Sequence, residues 1–77
     1  MSSSSIVLYG KPRCSLCDHA KDALIRAGVQ FDEVDITSDP ALMQEFGIFI
    51  PVVEVDGAIV FEAGMDPAAL PDLVRGA

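Results

Sequence analysis

The sequence predicts an α/β sandwich: a four-stranded mixed sheet flanked by helices, in the order β-α-β-α-β-β-α. Three observations carry that prediction. A continuous β-prone run, Ile6-Val7-Leu8-Tyr9, is followed within a few residues by an apolar pattern at helical spacing. Asp56-Gly57 stands between two short runs of strand formers, Val52-Val53-Glu54-Val55 and Ala58-Ile59-Val60-Phe61, which is the pattern of a two-residue hairpin. Two Asp-Pro pairs, Asp39-Pro40 and Asp66-Pro67, each open a stretch suited to a short helix.

Taken in order, the first run has no polar residue, as expected of a strand covered on both faces. Gly10 to Arg13 reads as a loop, with Gly10 and Pro12 as breakers. Beyond it Leu16, Ala20, Ala23, Leu24 and Ala27 recur three and four apart and predict a helix with one apolar face. Gly28 suits the C-terminal stop of that helix. From Phe31 to Ile36, Phe31, Glu33 and Asp35 alternate with Asp32, Val34 and Ile36, which predicts the second strand. Asp39 offers an N-cap and Pro40 a first helical residue for a short helix reaching Phe46 and ended by Gly47. The last helix must accommodate Pro71, so a short turn and then a helix, or a kinked helix, is predicted. The β-α-β opening implies two parallel strands joined by a right-handed crossover; the hairpin adds two antiparallel ones.

At 77 residues the chain reads as one domain, 1–77, near the lower size at which a core forms unaided. Residues 1–5 read as a flexible N-terminal segment. A net charge of −7 argues against nucleic acid and anionic membrane as partners, because both are polyanions. That charge is unevenly placed. Lys11, Arg13, Lys21 and Arg26 lie around or just after the cysteines, whereas Phe31 to Asp72 holds ten acids and no Lys or Arg. Such a division reads either as ordinary solvated faces or as a cysteine segment that is locally electropositive within an acidic protein. No stretch has the charged lead and apolar centre of a signal peptide, or the length of a membrane span. The expectation is a cytoplasmic monomer, in a compartment that disfavours a permanent disulfide.

The only two cysteines stand two residues apart in "CSLC", Cys14 and Cys17. Three uses compete. A structural zinc site takes four nitrogen or sulfur ligands. The chain offers these two and His19, so a metal site, whether zinc or iron–sulfur, needs ligands shared across a dimer. A structural staple closing so short a loop contributes roughly 2 kcal/mol in the chain-entropy model, less than a longer loop would. A redox pair uses the spacing directly, since residues three apart at a helix start lie one turn apart, within reach of a disulfide.

In the redox reading Cys14 meets unpaired N–H groups and the positive end of the helix dipole, which favour a thiolate. Lys11 and Arg13 add to this and are candidate substrate contacts; Asp18, four residues on, opposes it. Cys17, one turn further in, is placed to resolve a mixed disulfide. A thiol–disulfide oxidoreductase is the favoured reading, and a non-enzymatic interaction or metal-carrying module on the same fold is the alternative.

A C-x-x-C at the end of a first strand, taken with "IPVVEVDG" and "AGMDPAAL", resembles the small bacterial glutaredoxin-like branch of the thioredoxin superfamily. The resemblance runs from Ile6 to about Val74 and implies a thioredoxin-like fold. It implies that Cys14 is the nucleophile and Cys17 the resolving cysteine. It also implies a cis bond at Pro51, facing the cysteines, and backbone hydrogen bonds from Ile50 to a substrate laid down as an added strand. Lys11, three residues before Cys14, and Gly64 and Asp66 match positions that contact glutathione in that family. Asp66 also suits a helix cap.

The resemblance departs between the cysteines. Ser15-Leu16 stand where typical dithiol glutaredoxins have Pro-Tyr, so the tyrosine lining the glutathione groove is missing. The implied substrates are disulfide-containing proteins and glutathione mixed disulfides, with no cofactor bound. The implied reductant is glutathione, as co-substrate, or a thioredoxin-reductase-type protein. Phe46, Ile48 and Phe49 lack regular spacing, and both core packing and an apolar docking patch are open to them.

Overall fold

A computed structural model describes residues 5–75. Its strands are β1 (Ile6–Gly10), β2 (Asp32–Asp35), β3 (Val52–Val55) and β4 (Ala58–Phe61), and its helices α1 (Ser15–Arg26), α2 (Pro40–Phe46) and α3 (Leu70–Arg75). The sheet order is β2-β1-β3-β4. β1 runs parallel to β2 and antiparallel to β3, which in turn pairs antiparallel with β4. This is the predicted α/β sandwich.

Local chemistry places the boundaries. α1 gives way at Gly28, whose φ of 73° lies in the left-handed region that suits glycine. The Arg75 guanidinium donates to the Ala27 carbonyl and so ties the end of α3 to the end of α1. Asp39 caps α2, its Oδ1 accepting the Ala41 N–H at 2.9 Å. Asp66 likewise accepts the Ala68 N–H at 2.9 Å and opens a 3-10 turn, Pro67–Ala69, that leads into α3. Pro71 sits in the first turn of α3, where its missing N–H removes no helical bond. Asp56 and Gly57 both take positive φ, 52° and 86°, as a two-residue hairpin turn requires.

Side chains directly opposite on antiparallel strands share a face. On one face Ile6, Leu8, Val53, Val55 and Phe61 form a buried cluster with Ala20 and Leu24 of α1 and Leu70 and Val74 of α3. On the other, Val52 packs with Ile36, with Phe46 of α2, and with Tyr9 and Leu42 at the margin. Cys17 and Ile50 belong to this second cluster.

Four expectations are corrected. Leu16 is 54% exposed and not part of the apolar face of α1, whose buried positions are Cys17, Ala20 and Leu24. Gly10 is the last residue of β1, not the first of a loop. The second face of β1 is only partly covered, because the seven-residue α2 packs on Tyr9 and Val52, and Val7 is left half-buried. The second strand stops at Asp35. There Asp35 Oδ1 accepts both the Thr37 N–H, at 2.9 Å, and the Thr37 hydroxyl, at 2.6 Å. These bonds fold 36–38 into a 3-10 turn that buries Ile36 and hold the Asp35 carboxyl below its ordinary pKa.

Ser5, read as part of a flexible lead-in, is joined to Asp56 by two hydrogen bonds of 2.8 Å. The rest of that segment, 1–4, lies outside the described residues. Among the described residues no helix is long and apolar enough to cross a membrane.

Candidate dithiol site

Three residues after Gly10 turn the chain from β1 into α1. Arg13 takes a φ of 59°, a left-handed conformation that costs a side-chain-bearing residue roughly 1–2 kcal/mol. The next residue, Cys14, is the N-cap of α1, with φ −115° and ψ 108°. Its Sγ accepts the Cys17 N–H at 3.2 Å, and its carbonyl accepts the Asp18 N–H at 3.0 Å. The sulfur thus takes the place that a Ser or Asp oxygen takes in an ordinary cap.

Both cysteines are free thiols; Cys14 is part-exposed and Cys17 is 6% exposed. Burial, and then a side-chain hydrogen bond between its thiol and Cys14, push the Cys17 thiol up to about 11. The backbone N–H of Lys11 pulls the other way, while the electrostatic influence of Cys14 and Asp18 adds to the rise. One sulfur is therefore part-exposed at the helix cap, and the other is buried and held protonated one turn further in.

The Ile50–Pro51 peptide bond is cis, and both residues are buried. Ile50 packs in the cluster that contains Cys17, with Cys14 and Tyr9 at its margin. Tyr9 stacks on Phe46 with ring centroids 4.7 Å apart, and its hydroxyl donates to Glu54 Oε1 at 3.0 Å. Burial first, and then that bond to Glu54, raise the Tyr9 pKa. Gly64, at φ 97°, turns the chain ahead of Asp66. The Ala63 N–H donates to the Phe49 carbonyl at 2.9 Å and joins this turn to the segment preceding Pro51.

Lys11 and Arg13 are both exposed, and neither is in an ion pair among the described residues. Lys11 and Pro12 line an open cleft of about 350 Å³ with three carboxylates, those of Asp18, Glu33 and Asp35. Glu33 is paired with Lys21 at 3.0 Å. A larger hollow of about 980 Å³, lined by Ser5, Ile6, Phe31 and Val74 among others, lies at the opposite end of β1, away from the sulfurs. Of the three apolar residues left open by the sequence, Phe46 is core, whereas Ile48 and Phe49 are on the surface, Ile48 at 86% exposure. Leu16 and Met65 are exposed as well. Among the described residues no three His, Cys, Asp or Glu side chains converge as a metal site.

Sequence reasoning missed two supports of the site. Arg13's left-handed turn has no compositional signal, because glycine or asparagine would be expected there. Gly10 was legible only as a breaker, although a Cβ at that position would lie 3.2 Å from both Cβ and Sγ of Cys17.

Residues 5–73 match the family model of the Glutaredoxin-like domain (DUF836). Among solved structures, Northeast Structural Genomics target protein XcR50 from X. campestris is 31% identical, with a TM-score of 0.81 over 95% of this chain and 99% of that one. The glutaredoxin from Brucella melitensis is 25% identical, with a TM-score of 0.64 over 99% of this chain and 79% of that one. A mutant form of the thioredoxin-like protein BC3987 is 28% identical, with a TM-score of 0.71 over 92% of this chain and 95% of that one, and the fold is accordingly thioredoxin-like. Gene 56 protein of Mycobacterium phage L5 is 41% identical over 34 residues; the match spans 44% of this chain and only 33% of that protein.

Proposed function

The chain belongs to the glutaredoxin-like domain family (DUF836), and from that premise we propose that it is a thiol–disulfide oxidoreductase acting through Cys14 and Cys17. The observation that carries this reading is the cap geometry: a part-exposed Cys14 whose sulfur accepts the N–H of a buried Cys17. The Cys14 thiolate attacks one sulfur of a substrate disulfide. A bond from Cys14 to that sulfur forms, the substrate S–S bond breaks, and the other half leaves as a thiolate that takes a proton from water. Cys17 then gives up its proton to solvent and attacks the Cys14 sulfur. The Cys14–Cys17 disulfide forms as the second substrate thiolate leaves, so two electrons pass from the protein to the substrate. Glutathione, or a thioredoxin-reductase-type protein, restores the dithiol.

The causes of the high Cys17 pKa suit this order. Two of them, a hydrogen bond and an electrostatic influence, come from Cys14. Both weaken once the Cys14 sulfur is tied into a mixed disulfide, which is when Cys17 must ionise.

Protein disulfides are the better substrates in this reading. Lys11, the residue aligned with glutathione binding, shares its cleft with three carboxylates, which oppose the carboxylates of glutathione. Leu16, Ile48 and Phe49 offer exposed apolar surface instead. Ile50, through its carbonyl because its N–H already donates to the Phe46 carbonyl at 3.1 Å, together with Gly64 and Asp66, serves as a substrate contact beside the cis Pro51. The protein works as a cytoplasmic monomer without a resident cofactor.

The test is reduction of a protein disulfide and of a glutathione mixed disulfide, each with glutathione and with a thioredoxin-reductase system. Cys14→Ser should abolish both activities. Cys17→Ser should lose protein-disulfide reduction and keep only turnover of glutathione mixed disulfides. One zinc or iron–sulfur cluster per dimer on anaerobically prepared protein, with no disulfide turnover, would overturn the reading.

A further inference from the structure

Gly10 closes β1 and pairs with Asp35 across the parallel strands. Its backbone takes no left-handed torsion, so the conformation itself does not call for glycine. What calls for it is space. A Cβ built there would lie 3.2 Å from Cys17 Cβ and 3.2 Å from Cys17 Sγ. Contacts that short oblige a neighbour to give way by a few tenths of an ångström. The neighbour here is the buried Cys17 side chain in the first turn of α1, packed in the cluster with Phe46, Ile50 and Val52.

We propose that Gly10 is the positioning residue for Cys17: its missing side chain lets the inner sulfur seat on the end of β1, and this seat sets the rate at which Cys17 attacks the Cys14 mixed disulfide. The inference rests on the dithiol reading above and deepens it. Attack on a disulfide sulfur needs the incoming sulfur aligned with the bond that breaks, so an ångström-scale misplacement slows the step by as much as about 100-fold. Cys14 lies on the far side of the cap hydrogen bond and does not touch Gly10 in this way, so its own attack on substrate is spared.

The experiment uses reduced protein and an excess of an aromatic disulfide whose released thiolate absorbs visible light. Each molecule releases one aromatic thiolate when Cys14 attacks and a second when Cys17 resolves. Gly10→Ala should leave the first release within about twofold and slow the second by about tenfold. In a Cys17→Ser background, which gives one release only, Gly10→Ala should leave that release unchanged. If Gly10→Ala alone does not fold, Gly10→Ala/Cys17→Gly should fold as well as Cys17→Gly alone, because removing both the sulfur and the Cβ of residue 17 vacates the space; a double variant less stable than Cys17→Gly alone overturns the proposal. An unchanged second release in Gly10→Ala, or equal slowing of both, also overturns it and leaves the dithiol reading standing. A wild-type protein that gives no second release overturns both.

Discussion

At the scale of single residues, Cys17 carries the clearest pH signature. Its thiol is pushed from an ordinary 9.0 up to about 11, chiefly by burial. Between those values the folded chain holds a proton that the unfolded chain has released. The folded state then binds more protons than the unfolded one, so stability falls as pH rises. The contribution is fully present below about pH 9 and is lost as pH climbs through about 11. Tyr9, raised by burial and by its bond to Glu54, acts in the same direction, so a wild-type titration alone mixes the two. The difference between wild type and Cys17→Ser isolates the thiol. Thermal midpoints of wild type should fall more steeply than those of Cys17→Ser between about pH 9 and about pH 11. Parallel curves would mean that Cys17 ionises in the folded protein as freely as in the unfolded one.

At the scale of elements, helix starts were legible because their chemistry is local. Asp39-Pro40 and Asp66-Pro67 each place a carboxylate on an N–H two residues later, and the structure has both bonds at 2.9 Å. Asp56-Gly57 was legible for the same reason, since its positive φ values are properties of two residues. What the sequence did not disclose depends on distant partners. Leu16 fits the helical stripe by spacing, yet α1 turns Cys17 inward against Gly10, 7 positions earlier in the chain. Ile36 fits strand alternation, yet Asp35 bonds to Thr37 and bends the chain before the strand reaches it. Asp66 shows how an element's needs and a site's needs separate. Asp66→Ala removes the cap and should lower stability by about 1 kcal/mol, whereas Asp66→Asn keeps the cap and should stay near wild type. Denaturant midpoints measure this, and loss of glutathione-disulfide turnover in the well-folded Asn variant identifies the charge itself as a substrate contact.

At the scale of the molecule, the two sulfurs announce themselves in sequence and the cis Pro51 follows only from the family resemblance, while their setting is assembled from remote parts. Tyr9 reaches from β1 to Glu54 on β3, Phe46 arrives from α2, and Ala63 fastens the Gly64 turn to Phe49. None of these pairs has a sequence pattern, because each is fixed by how the sheet and helices stack. Charge is the property that the sequence and the whole molecule share. A net −7 on 77 residues, with ten acids between Phe31 and Asp72, makes the folded chain repel itself. Only two ion pairs stand against that among the described residues, Lys21–Glu33 and Asp22–Arg26, and both are exposed, so each contributes less than about 1 kcal/mol. Salt screens repulsion and attraction alike, and here repulsion is the larger sum. Raising salt from about 0.02 M to about 0.5 M should therefore raise the thermal midpoint, by an amount that exceeds any loss from the two pairs. Replacing the exposed Glu45 and Glu62 by Gln should raise the low-salt midpoint and shrink the salt effect together. A midpoint that falls with salt would show that local pairs, and not the acidic stretch as a whole, govern the electrostatics of this fold.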